Sequence, residues 1–127
     1  TKRSRIREPK DLLRYLLIHT STRRFAWPDW LQAHGVSDIL GKRKKYEVSH
    51  FFMSLEAAVR GQGVAIIPRI ILSLYKDAKR LTFPLKSNIP SAGAYYVLTR
   101  DSQSKNREID ALRDWVMAEA RDLRASA

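Results

Sequence analysis

The stretch Val48–Pro68 limits the folds open to this chain more than any other: Val-Ser-His-Phe-Phe-Met-Ser-Leu-Glu-Ala-Ala-Val-Arg-Gly-Gln-Gly-Val-Ala-Ile-Ile-Pro. Phe52, Leu55, Ala58 and Val59 recur at i, i+3, i+6 and i+7, the period of one helical face. Ser49 stands just before that pattern, where a side-chain oxygen accepts a hydrogen bond from an early helical N–H, as an N-cap does. Gly61 and Gly63 release the backbone from the helix, since glycine reaches positive φ without a Cβ clash. Val64-Ala65-Ile66-Ile67 is then a short apolar run, and Pro68 stops it. An apolar strand that follows a helix is covered on both faces, the environment of a parallel sheet.

The rest of the chain repeats this alternation. Glu8 to Tyr15, with Pro9 at a first-turn position, reads as a short helix, and Leu16-Leu17-Ile18-His19 as a buried strand closed by Thr20-Ser21-Thr22. Trp27 to Gly35 reads as a helix with Pro28 in its first turn and Gly35 as its C-terminal stop. Val36 to Lys45 is a polar, basic loop, and Tyr46-Glu47-Val48 a short strand. Arg69 to Lys79 places Ile70, Leu74 and Ala78 on one helical face. Leu81 to Leu85 is extended, Lys86 to Gly93 a loop, and Ala94-Tyr95-Tyr96-Val97-Leu98-Thr99 the clearest strand by residue type. Asn106 to Leu123 is an amphipathic helix through Ile109, Leu112, Val116 and Met117. Strands alternating with helices define an α/β fold, a mostly parallel sheet with helices on both faces.

The totals narrow the function. At 127 residues the chain holds one domain's worth of core, and no apolar run approaches the ~20 residues that span a bilayer. It has no cysteine, which suits a cytoplasmic protein. Lys plus Arg number 24 against 13 Asp plus Glu, a net charge of +11 concentrated at Lys2, Arg3, Arg5 and Arg7 and again at Lys42, Arg43, Lys44 and Lys45. Such a balance attracts anions, nucleic acid among them, yet it equally describes a solvated surface, and no nucleic-acid-binding motif accompanies it. Catalysis lacks a constellation: His19, His34 and His50 have no metal-ligand spacing, and the adjacent Ser49 and His50 point apart rather than forming a nucleophile–base pair. No metal or cofactor is implied, and the chain is not expected to be an enzyme.

A binding site is easier to build. Ligands of open α/β sheets sit beyond the carboxyl ends of the strands, here Ile18-His19-Thr20, Val48-Ser49-His50 and Ile66-Ile67-Pro68. The start of the helix after Val48 offers unpaired N–H groups and a partial positive charge suited to a carboxylate. Ser49 and His50 add donors and Phe51 an apolar wall, although Ser49 also reads as a plain cap and His50 as an ordinary loop histidine. Phe25 or Trp27 is placed to line a pocket mouth, and Arg23 and Arg24 to clamp an acid if they are not simply solvated.

The run Leu55-Glu56-Ala57-Ala58-Val59-Arg60-Gly61-Gln62-Gly63-Val64-Ala65-Ile66-Ile67-Pro68 resembles the effector-binding domain of LysR-type transcriptional regulators. The likeness continues in order through Leu16–His19, Trp27–Leu31, Leu81–Leu85, Tyr95–Arg100 and Leu112–Val116, about residues 8 to 124. It implies a periplasmic-binding-protein-like fold of two subdomains: residues 1–16 as the exit segment of the first, 17–85 as the second, and 86–127 as the returning strand and helix of the first. It also implies a small effector, expected to be anionic, held between the subdomains by Ser49, His50, Phe51, His19, Thr20, Ile67 and Tyr96. Tyr96 is otherwise one face of a buried strand. DNA is expected to be contacted only through an N-terminal winged helix-turn-helix, which is not in this sequence; the chain opens at Thr1 and reads as a fragment. A homodimer and no membrane contact complete the expectation. Two departures stand out: Ala78-Lys79 where the family usually carries a glycine before Arg80-Leu81, and the high positive charge. The alternative reading is a free-standing solute-binding or basic, nucleic-acid-associating α/β protein.

Overall fold

Leu17–Thr20 forms β1, the middle strand of a three-stranded sheet in the computed structural model, which describes residues 6–42, 45–90, 93–100 and 106–125. The basic residues Lys2, Arg3, Arg5, Arg43 and Lys44 lie outside the described residues. The chain divides into two compact units, Thr1–Pro90 and Ser91–Ala127. The first unit carries β1, α1 (Ala26–Ala33), β2 (Tyr46–Val48), α2 (Phe51–Val59), β3 (Val64–Ala65) and α3 (Arg69–Leu74). Turns of 3-10 helix at Pro9–Arg14, Ser21–Arg23, Ser37–Lys42 and Lys76–Arg80 join them.

The sheet order is β2-β1-β3 and every pairing is parallel, with Ile18 opposite Tyr46 on one side and Ala65 on the other. Two helices sandwich β1. Leu17 points to the α1 face, where it packs in one cluster with Trp27, Trp30, Leu31, Val36, Leu12 and Ile6. The Trp27 indole N–H also donates 2.8 Å to the Ile18 carbonyl, pinning the helix to the strand. Thr20, an odd number of residues from Leu17, faces the opposite way. Its hydroxyl meets that of Ser54 on α2 at 2.7 Å, and both residues are buried.

This hydroxyl pair decides how α2 lies. The period of the sequence predicts Phe52, Leu55, Ala58 and Val59 inward; the structure buries Ser54, Leu55 and Ala57 and leaves Phe52 67% exposed. Small residues let the helix backbone approach the sheet closely, so the polar but compact Ser54 displaces the bulky Phe52 from the inner face. Gly61, at φ 71, ends the helix in a conformation that favours glycine. Gly63 is required for another reason: a Cβ there would run into the Leu16 carbonyl oxygen and the Ile18 side chain. Its neighbour Val64 donates its N–H to that same Leu16 carbonyl at 2.8 Å, starting the β1–β3 ladder.

Other expectations need correction. The short helix expected after Glu8 is a 3-10 helix at Pro9–Arg14, with the Asp11 carboxylate accepting from the N–H groups of Arg7 and Glu8. Helix α3 stops after six residues, at Tyr75, which turns extended and donates its hydroxyl to Glu56 on α2 at 2.8 Å. Ile70 and Leu74 are consequently exposed rather than core. In the second unit, residues 93–100 form no strand and Tyr95, Tyr96, Val97 and Leu98 are exposed, because no strand among the described residues runs beside them to form a ladder. Helix α4 (Arg107–Ala125) is amphipathic as expected, but Leu112, Trp115 and Met117 are exposed. Among the described residues no helix is long and apolar enough to cross a membrane.

Two measurements test this packing. Gly63→Ala should lower unfolding stability by about 1–3 kcal/mol in urea titrations, since the new methyl group has a backbone atom in its way. Thr20→Val alone should cost about 1–3 kcal/mol by stranding the buried Ser54 hydroxyl, whereas Thr20→Val with Ser54→Ala should cost markedly less than the two single changes summed.

Candidate functional site

The exits of β1 and β2 lie side by side, because the parallel register sets Thr20 opposite Val48. Beyond them the chain turns twice. After β1 it enters the 3-10 turn Ser21–Arg23, and after β2 it crosses Ser49 and His50 into α2. The two turns are stitched together: the hydroxyls of Ser21 and Thr22 donate to the Ser49 carbonyl at 3.5 and 3.4 Å. Thr20 is therefore the fixed end of a strand, with its own hydroxyl engaged by Ser54.

Helix α2 opens without a side-chain cap. The predicted cap, Ser49, is one residue too early: the chain stays extended through His50 (φ −135, ψ 155), which occupies the N-cap position. The His50 carbonyl accepts from the N–H groups of Met53 and Ser54 at 3.1 and 3.3 Å, and no side chain caps the helix. The first-turn N–H groups of Phe51 and Phe52 have no carbonyl one turn earlier within the helix to receive them. These amides, with the aligned peptide dipoles behind them, form a positive end. Ser49 and His50 are exposed beside it and Phe51 is half-buried.

His19 stands on β1 next to Thr20, half-buried, its ring centroid 6.3 Å from that of Trp27. Burial, and then the Lys45 ammonium, push its imidazole below the ordinary histidine value against an opposing pull from Glu47. The ring is thus held toward its neutral form, able to donate or accept one hydrogen bond. Ile67 follows β3 on the other flank of β1, half-buried before Pro68. The β1–β2 register sets Thr20 beside Val48, so the chain through Ser49, His50 and Phe51 leaves the sheet next to Thr20. His19, two residues from Leu17, faces the Trp27 side, and Ile67 lies at the exit of the third strand. Tyr96 belongs to the second unit, where it is 80% exposed. Trp27 is core rather than pocket lining, while Phe25 is exposed.

Sequence reasoning missed Ser21 and Thr22 as the stitch to Ser49 and missed Ser54 entirely. A serine in the middle of an apolar helix face was the available signal, since a buried hydroxyl demands a partner. A second feature lies on the outer side of α2. Tyr46, Val48, Phe52, Met53, Glu56, Ala57, Arg60 and Gln62 line an open groove of about 400 Å³ along the edge strand β2. Glu56 is held there by Arg60 at 2.8 Å as well as by Tyr75. Among the described residues no group of three or more His, Cys, Asp or Glu is placed to hold a metal ion.

A family model described as the LysR substrate binding domain matches residues 1–121. The glycine cleavage system transcriptional activator of Escherichia coli K12 is 32% identical over 115 residues, 91% of this chain and 37% of that protein. The HTH-type transcriptional activator AmpR of Pseudomonas aeruginosa is 26% identical over 114 residues, 90% of this chain and 38% of its own length. The HTH-type transcriptional regulator TrpI of the same organism is 39% identical over 74 residues, 58% of this chain and 24% of its own. No solved structure matches the chain. The chain spans a little over a third of the first two relatives' length. With a parallel α/β sheet and a family match over almost its whole length, this chain belongs to the LysR substrate binding domain family.

Proposed function

We propose that the chain is the effector-sensing and dimerising part of a LysR-type DNA-binding transcriptional regulator, acting in the cytoplasm and without catalysis. Residues 1–16, 17–85 and 86–127 are assigned as the exit segment of a first subdomain, the second subdomain, and the returning part of the first. DNA is contacted through a winged helix-turn-helix that these residues do not include. The observation that carries the reading is the uncapped amino end of α2 at the carboxyl rim of the sheet, with Ser49 and His50 exposed beside it. A small carboxylate there takes hydrogen bonds from the first-turn amides, the Ser49 hydroxyl and the His50 ring. His19 offers one further polar contact, Phe51 and Ile67 supply apolar walls, Thr20 fixes the strand end, and Tyr96 is kept as a candidate contact on the family resemblance alone.

Dimerisation is proposed through the groove on the outer side of α2, with a second copy as its occupant. Its exposed Phe52 and Met53 flank a carboxylate and a guanidinium, Glu56 and Arg60, four residues apart on one helix. About a two-fold axis between antiparallel α2 helices, the Glu56–Arg60 pair of one copy faces that of the other with its charges opposed, so the surface is self-complementary.

Three outcomes are expected. In thermal-shift assays of the full-length protein against small carboxylic and amino acids, at least one compound raises the melting temperature. Its stabilisation reaches about 2.7 kcal/mol at a hundredfold excess over Kd, and His50→Ala with Ser49→Ala removes most of it. If no acid stabilises the protein while this chain binds random-sequence DNA with a steep dependence on salt, the basic nucleic-acid-associating reading replaces this one. The second outcome concerns pH. The fold holds the His19 proton affinity low, and a bound anion raises it again, so affinity for the acid should rise as pH falls through the His19 titration. His19→Gln should flatten that dependence in calorimetric titrations. Third, Phe52→Asp should shift the sedimentation of the chain toward monomer; an unchanged distribution removes the groove from the dimer interface.

A further inference from the structure

His34, just past the end of α1, is held on two sides by one neighbour. Its ring stacks on that of Trp30 at 3.9 Å between centroids and 19° between planes, and its Nδ1 lies 2.6 Å from the Trp30 carbonyl. A carbonyl only accepts, so Nδ1 carries a hydrogen and Nε2 is left for a second partner. Nε2 is 2.6 Å from the Ser87 hydroxyl, 53 residues further along the chain. Trp30 is itself buried in the α1 core, so this short series of contacts runs from the core to Ser87 without a flexible link.

Ser87 lies in a stretch that needs such an anchor. Residues 81–90 have no helix or strand, and they are the last of the first unit before the chain passes to Ser91–Ala127. Leu85 and Ile89, two residues either side of Ser87, pack against the same core cluster as Trp30. Apolar packing is non-directional and leaves a segment without a ladder free to slide, whereas a hydrogen bond to a clamped imidazole fixes its register. We propose that His34 is a positioning residue that latches the exit of the chain from the first unit, holding Ser87 at one point on the end of α1. The site described above plays no part in this, and the latch stands or falls independently of any effector.

Lys86, exposed and immediately before Ser87, makes the latch measurable, because trypsin cuts after lysine only where the chain opens locally. In limited digestion of the chain followed by mass spectrometry, His34→Phe keeps a ring to stack on Trp30 while deleting both hydrogen bonds, and Ser87→Ala deletes one partner. Each should raise the rate of cleavage after Lys86 about two- to tenfold, the effect of losing one ordinary hydrogen bond. The double variant should show little more than the His34→Phe change alone, and cleavage after Lys79 and Arg80 should stay at the wild-type rate. Unchanged cleavage at Lys86 in both single variants overturns the proposal. So does a parallel rise at Lys79 and Arg80, which marks general destabilisation, or a double variant in which the two effects multiply.

Discussion

The closeness of α2 to the middle strand governs the first unit. A two-hydroxyl contact at 2.7 Å between Thr20 and Ser54 brings helix and sheet close together at that point. Small residues accompany that contact, Ser54 and Ala57 on the helix and Gly63 where the following strand meets Leu16, with Leu55 the one large side chain that α2 buries. Close packing transmits position, and so the same contact sets where the amino end of α2 sits relative to the end of β1. The rim at which Ser49 and His50 emerge is thereby a product of core packing, with the Ser21 and Thr22 hydroxyls adding a second tie to the Ser49 carbonyl.

The opposite face of β1 is built on a different principle. There the filling is bulky and aromatic, with Trp27 and Trp30 edge-to-face at 6.0 Å and Leu31 fully buried. The polar atoms that such residues bring are used rather than tolerated: the Trp27 indole N–H reaches the strand, and the Trp30 carbonyl holds His34. One strand thus separates a layer built on a hydroxyl pair from an aromatic one. On the Ser54 side a helix terminus, that of α2, comes to the sheet's rim with no side-chain cap.

Much of this was legible in the residues. The parallel α/β class follows from alternation of apolar runs and helical periods, and Tyr46–Val48 and the helix beginning after His50 are read at close to their observed bounds. What periodicity conveyed poorly was orientation. It favoured Phe52 as core because it weighs apolar side chains, whereas the fold chose Ser54 for its size and its partner on a strand 34 residues away. The same limit extended the helix from Arg69 to Lys79, since nothing local reveals that Tyr75 leaves it for Glu56. The cap was misread by one residue: Ser49 has the right chemistry, but a cap is defined by which carbonyl the first turn uses, and that is His50's. Residues 94–99 have strand chemistry without a strand, because pairing partners are a property of the surrounding chain and not of the segment.

That last segment has a further consequence. Ala94-Tyr95-Tyr96-Val97-Leu98-Thr99 is six residues long, uncharged, free of proline and rich in types that favour extended structure, and its aromatic and aliphatic side chains face solvent. Those are the attributes of segments that stack into cross-β fibrils when identical copies meet. Arg100, directly after it, is the kind of flanking charge that sets like-charged copies against one another at low ionic strength. Added salt screens that repulsion.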